Sequence, residues 1–404
     1  MAIEVINIRD GLGTGLTFDL AAEVLQGLHN PTNSRKSLPS MLLYDELGLK
    51  LHAEAARAPE YYPFYAEEEI LREKSDEIVA VMHAGSQLDT GNEVVLERSR
   101  RSLSKTSHIL LALSRLVQEQ PARASPITYY ALDLEERELE RTLTGVALSD
   151  VGKSLEGNVN IRGLCATYDQ GLKFASSGAL HALTGTTAER RSRASDLPAR
   201  LDVQTQIDSS ASDYSGAANT PPSLDISAPL HILFFGSSLG NFSRTGGADF
   251  LRSLPLRPGS NDRLLIGLDH DNDKTLIELA YNDPQGYIKR FIMNALKGAG
   301  RALGDENLFD EENWEYGNKY DVATRRHESF VKAKRPHAVV VPSMNETISF
   351  LQNEEIEIGH SLKFSDEDVY TLFKASNLHS LQRWTDSSSR YSLWLLERPP
   401  LADV

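Results

Sequence analysis

The stretch from Pro126 to Glu140 constrains the fold of this chain more than any other. β-Branched and aromatic residues from Ile127 to Leu132 predict a buried strand, which runs out on Asp133. A charged helix start follows, with Leu134, Leu139 and Leu143 at its apolar positions. A carboxylate at the carboxyl end of a strand, just ahead of a helix, is where a doubly wound α/β sheet grips a ribose. Both diol hydroxyls can donate to one such group. An acid at a helix start also complements the helix dipole, so the segment alone leaves Asp133 with two readings.

The same alternation extends along the chain. Short apolar runs at Ile3–Ile8, Val94–Leu96, Val159–Cys165, His231–Phe235 and Arg263–Leu268 predict further strands. Helical periodicity occupies Leu20–Leu28, Tyr44–Ala58, Glu67–Met82 and Thr106–Glu119. This rhythm predicts a parallel sheet with helices on both faces. Pro59 halts the second of those helices, and Tyr61, Tyr62 and Tyr65 are expected in a loop around Pro63. From about 176 to 228 the chain is polar and aperiodic, which predicts a mobile surface insertion.

After Asp273 the character changes. Lys274–Leu303 is predicted helical, Trp314 to Lys334 strand and loop, and Glu346–Phe350 and Glu355–Phe364 strands. Ser365, with Asp368 three residues on, predicts a capped helix. Tyr391–Leu396 reads as a last strand.

A net charge of -15 excludes a general nucleic-acid or anionic-membrane binder. The single cysteine, Cys165, rules out an internal disulfide framework and fits a reducing compartment. With no signal-like start and no long apolar run, a soluble, cytoplasmic protein is expected. Asp269-His270-Asp271-Asn272-Asp273 superficially resembles a metal loop but is read as a solvated acidic turn, and no metal is assigned.

Seven segments in order carry a family resemblance. They are Leu43-Tyr44-Asp45-Glu46, Pro59-Glu60-Tyr61-Tyr62-Pro63, Ser102-Leu103-Ser104-Lys105-Thr106 and Tyr129 to Leu134. Phe235 to Phe242, Ala280-Tyr281-Asn282-Asp283 and His360-Ser361-Leu362-Lys363-Phe364 complete the set. With these the chain resembles the histidine-specific methyltransferases that use S-adenosylmethionine, a family with ergothioneine-pathway and dimethylallyltryptophan N-methylating members. The resemblance implies an α/β fold: a Rossmann-like class I methyltransferase core with a second α+β substrate-binding domain. Residues 66–271 and 362–404 would form the core, and 1–65 and 272–361 the substrate domain.

By the same resemblance, Asp133 holds the cofactor ribose, and Thr167 and Tyr168 lie beside the adenine. Ser99 stands at the first glycine position of the cofactor loop, Lys105 lies on the cofactor side of that loop, and Tyr44 is near the cofactor entrance. Tyr61, Asn241, Tyr281 and Ser361 would contact a small amino-acid substrate, Asn241 and Tyr281 at its carboxylate and amine.

Two departures bear on function. Histidine-methylating relatives carry a glutamate two residues before the pocket serine, where this chain has Gly359. Losing that carboxylate removes the partner of an imidazole and favours an aromatic or tryptophan-derived substrate over histidine. Relatives also carry Glu-Leu-Gly-x-Gly where this chain reads Glu97-Arg98-Ser99-Arg100-Arg101. Side chains and cations there would crowd and repel a sulfonium. A degenerate binding or partner protein, a repurposed cofactor site and a misplaced exon junction all accommodate that loop. The leading expectation is an N-methyltransferase acting on an amino-acid α-amine in specialised metabolism.

Overall fold

The computed structural model describes residues 3–9, 19–29, 35–84, 93–98, 104–120, 126–183, 228–341 and 345–401. Strands β1 (Glu4–Asn7) and β2 (Lys36–Ser37) come first. β3 (Val94–Arg98), β4 (Ile127–Asp133), β5 (Val159–Cys165), β6 (Leu230–Phe234) and β7 (Arg263–Asp269) follow. Then come β8 (Trp314–Asp321), β9 (Arg326–Ala333), β10 (His337–Val341), β11 (Glu346–Phe350) and β12 (Glu355–Leu362). β13 (His379–Thr385) and β14 (Tyr391–Glu397) end the series.

Eight of these form one sheet in the order β1-β5-β4-β3-β6-β7-β14-β13. Neighbours are parallel except that β14 runs against both β7 and β13. From β3 the chain builds outward through β4 and β5, then returns to start again at β6 on the other side. That reversal between β3 and β6 is the switch point where an open α/β sheet leaves a crevice at its carboxyl edge. Alternate residues feed two cores: Leu96, Tyr130, Leu132 and Ile232 face one, and Val95, Tyr129, Ala131 and Leu233 the other. Helices Tyr62–Met82 and Thr106–Gln118 close the second core, and Arg244–Ser253 and Asp366–Ala375 the first. Ser365 and Asp368 form the expected capping box.

A second body of structure surrounds a third core. The sheet β2-β12-β9-β8 and the β10–β11 hairpin pack with helices Leu20–His29 and Tyr287–Ala302. Trp314, Phe291, Val331 and Ile356 lie at its centre.

Several expectations are corrected. β1 pairs with β5 in the large sheet, so residues 4–7 stand with the core and not with the second body. The helix expected at Glu67 begins at Tyr62, with Pro63 in its first turn, where no backbone N–H is needed. Lys274–Leu303 is two helices, Lys274–Ala280 and Tyr287–Ala302, broken around Pro284. Asp283 caps the second, accepting from the backbone N–H of Tyr287 and Ile288 at 2.8 Å each. β14 makes the sheet mixed instead of wholly parallel. Of the expected insertion, residues 184–227 lie outside the described residues.

Candidate active site

The carboxyl edge of the large sheet gathers the residues expected around a cofactor. Asp133 is the last residue of β4 and half-buried, with Oδ1 accepting from Glu135 N–H at 3.1 Å. Thr167 is exposed just beyond β5 and caps helix Tyr168–Ser176, accepting from Gln170 N–H at 3.2 Å. Tyr168 has a second attachment: its ring packs on Phe234 and Phe250 at 5.9 and 5.4 Å, inside an aromatic cluster. Ser99 and the arginine-rich loop lie outside the described residues.

Lys105 points at protein and not along the crevice. Its ammonium pairs with Glu67, which is fully buried, and sits 4.9 Å over the ring of Phe64. Glu67 also accepts from Gly236 N–H at 2.8 Å and from the Tyr391 hydroxyl at 2.6 Å. The same hydroxyl accepts from Ser237 N–H at 2.9 Å. Gly236 and Ser237 both have positive φ, 72° and 49°, so the turn after β6 is left-handed and needs this bracing. Nearby, buried Glu97 accepts from Tyr129 at 2.6 Å and Thr106 at 2.8 Å. Burial outweighs those bonds and lifts its pKa to about 7.

A second cluster forms where β12 returns to the large sheet. Lys363 is fully buried and donates to Asp269 Oδ2 at 2.5 Å, Tyr281 Oη at 3.0 Å and Ser361 Oγ at 3.2 Å. An ammonium has three donors, and all three are used. Tyr281 therefore accepts from the lysine and keeps its own hydrogen for another partner. Burial, then the charge of Asp269, pushes the Tyr281 phenol well above its ordinary pKa, so it stays a neutral donor. Tyr61 meets Tyr281 edge to face at 5.7 Å, and His327 stacks beneath it at 3.7 Å. Burial holds His327 neutral, with Lys363 and Lys274 adding to the effect.

Thus Tyr61, Tyr281 and Ser361, far apart in sequence, come together. Tyr44 flanks them, packed on His52 and Phe291. Asn241 is exposed at the end of the short turn Ser238–Asn241, which lies directly against β12. A Cβ on Gly240 would stand 2.8 Å from the Leu362 carbonyl, so this close approach requires glycine. At Gly359 the opposite holds: a Cβ there meets nothing within 4 Å. A separate cleft of about 450 Å³, lined by Leu47, Met293 and Lys297 among others, shares no residue with the cluster.

Three residues of the site had no role in the sequence reading. Asp269 was read into a solvated turn, yet it is fully buried and accepts from Tyr62 at 2.8 Å besides Lys363. The signal that singled out Asp133, an acid ending a strand, applies equally to Asp269. Lys363 was visible as a lone cation between Leu362 and Phe364 at a strand end. Glu67 stood within an acidic helix face and carried no signal.

The reversal of strand order, with acids ending β4 and β7 beside it, defines a doubly wound α/β protein with a ligand site at its carboxyl edge. The chain matches the family described as histidine-specific, SAM-dependent methyltransferase over residues 20–195 and 188–398. It belongs to that family, and is a methyltransferase whose cofactor is S-adenosylmethionine. It is similar to an L-tryptophan methyltransferase of Psilocybe serbica, 32% identical over 97% of this chain and 96% of that one. A histidine N-alpha-methyltransferase of Mycobacterium tuberculosis is 27% identical over 93% of this chain and 94% of its own length. A 4-dimethylallyltryptophan N-methyltransferase of Claviceps fusiformis is 25% identical, covering 94% and 92%. No helix among the described residues is long and apolar enough to cross a membrane.

Proposed function

We propose that this chain methylates the α-amine of an aromatic amino acid, tryptophan or a derivative of it, in preference to histidine. The observation that carries the reading is the open space at Gly359, two residues from Ser361 and facing no other atom within 4 Å. A glutamate at that position would present a carboxylate to an imidazole. Its absence leaves room for a larger ring and no acid to pair with a ring N–H. The similarity to the Psilocybe serbica enzyme supports the same choice.

In this reading residues 66–271 and 362–404 form the cofactor core, with β1 added to it, and 272–361 with the segment before Tyr62 forms the substrate domain. The residues present fit S-adenosylmethionine. Asp133 offers a partly exposed carboxylate at the sheet's carboxyl edge, and Thr167 lies exposed next to it in strand order. The charge of Lys105 is matched by Glu67, so it does not oppose a sulfonium. Ser99, Tyr168 and Tyr44 would complete the cofactor surroundings. When bound, the cofactor supplies an electrophilic methyl group for in-line transfer to an amine.

The protein's own task is orientation. Tyr281 would offer its phenolic hydrogen to the substrate carboxylate because Lys363 already occupies its oxygen, with Asn241 as its expected companion there. Tyr61 and Ser361 border the side-chain end. Anchoring the carboxylate holds the neutral amine lone pair in line with the methyl donor, and burial of the cluster excludes water.

A titration calorimetry series with S-adenosylmethionine, followed by turnover assays with tryptophan and histidine, tests this reading. Micromolar cofactor binding and faster tryptophan turnover are expected. Asp133→Ala removes both acceptors of the ribose diol and is expected to abolish the heat of binding. No heat from the unaltered protein at millimolar cofactor returns the chain to the degenerate, non-catalytic reading.

A further inference from the structure

At the amino edge of the large sheet, opposite the strand ends that carry Asp133, Gly236 and Asp269, three ligand-type side chains meet inside the protein. His83 is the C-cap residue of helix Tyr62–Met82, Glu93 immediately precedes β3, and His231 is the second residue of β6. All three are buried, His231 completely. Their ligating atoms lie within 4.8 Å of one another. The two imidazoles meet edge to face at 65° with centroids 5.1 Å apart.

The hydrogens can be assigned from the partners. His83 Nδ1 lies 2.8 Å from the carbonyl oxygen of Val79. A carbonyl only accepts, so Nδ1 carries the hydrogen and donates it. In neutral His83 the lone pair is then on Nε2, which faces Glu93 Oε1 at contact distance. The same carboxylate oxygen is 3.3 Å from His231 Nε2. His231 Nδ1 has no hydrogen-bond partner among the described residues, and Nε2 has only that long, poorly aligned contact.

An imidazole lone pair, a carboxylate oxygen and a second imidazole brought to one buried place are arranged as the ligands of a metal ion can be. A proton on His83 answers the first contact and leaves His231 with one long contact, 3.3 Å from a carboxylate oxygen already paired with His83. A divalent metal answers all three. We propose that His83, Glu93 and His231 form a site for a zinc-like divalent transition metal. Two imidazole nitrogens and one carboxylate oxygen are a suitable donor set for such an ion. The Val79 carbonyl would fix the His83 tautomer, as outer partners of metal-bound histidines do.

A metal here lies across the sheet from the methyl-transfer site and takes no part in it. It would clamp the end of helix Tyr62–Met82 to β3 and β6, the two strands that bound the switch point. Its role would therefore be structural.

The test uses the full chain, purified without chelators or metal-affinity steps. Elemental analysis is expected to find zinc near one per chain. After chelation, zinc(II) alone should raise Tm by about 3 °C or more, and cobalt(II) alone should give the strong visible absorption of a low-symmetry site. His231→Gln should abolish all three signals, and Glu93→Gln, nearly isosteric, guards against an effect of misfolding. Zinc no higher than the buffer blank, with no change in Tm on titration, leaves only a buried His83–Glu93 ion pair and overturns the proposal. Zinc retained equally by both variants overturns it too, because the metal is then held elsewhere.

Discussion

The proposed preference for a larger ring rests, among single residues, on Gly359. Nothing stands within 4 Å of its missing side chain, so a glutamate can be accommodated without displacing backbone. Gly359→Glu is expected to raise histidine turnover relative to tryptophan. Competition between the two amino acids, read by mass analysis of the methylated products, measures that ratio; no rise in histidine product would mean the pocket is mapped wrongly. Tyr281 carries a different load. If its hydroxyl donates to the substrate carboxylate, Tyr281→Phe loses a charge-assisted bond of ~1.5–3 kcal/mol. KM for the amino acid should then rise roughly 10- to 100-fold with cofactor affinity unchanged. Equal loss of cofactor affinity would place the phenol in the fold's support and not at the substrate.

Among the elements, the long helix Tyr62–Met82 joins the site to the sheet. Glu67, one turn into it, holds Lys105 ahead of the next helix, the Gly236 turn after β6 and the Tyr391 hydroxyl on β14. Glu67→Ala leaves that lysine facing a buried void and frees three donors, so a loss of about 3–5 kcal/mol is expected. Urea unfolding of variant and parent measures it, and a loss below about 1 kcal/mol would mean the turn is braced by something else. The same element shows where the sequence was legible. The strands β4, β5 and β7 are almost wholly buried and rich in β-branched, aromatic and aliphatic residues, so they are legible in the sequence to within a residue or two. β13 was missed because it is an edge strand whose burial alternates irregularly and whose residues are mostly polar. The helix start was misplaced because Pro63 reads as a breaker unless one knows it falls in a first turn. Asp133 was found from one local pattern, whereas the Lys363 cluster combines β7, β12 and helix Lys274–Ala280, an arrangement no local window contains.

For the whole molecule, stability against pH is set by buried groups of opposite sign. His327 and His270 are kept from protonating mainly by burial. The unfolded chain takes up those protons first, so stability falls as pH drops below about 6.5. Glu97 works in the other direction. Its folded pKa stands near 7 against an ordinary value of 4.5, because burial disfavours the anion more than Tyr129 and Thr106 relieve it. The folded state holds a proton that the unfolded state releases between those two values, so stability is lost as pH rises through that window. The displacement corresponds to roughly 3 kcal/mol, fully expressed above neutrality. Glu97→Gln cannot ionise, and its amide oxygen accepts from one hydroxyl while its NH2 donates to the oxygen of the other. At pH 3.5 the variant should match the parent, and at pH 8 it should be more stable by up to about 3 kcal/mol. Urea melts at the two pH values decide the matter. A difference that is the same at both would show that Glu97 keeps one charge state throughout, and the alkaline limit would then belong to another group.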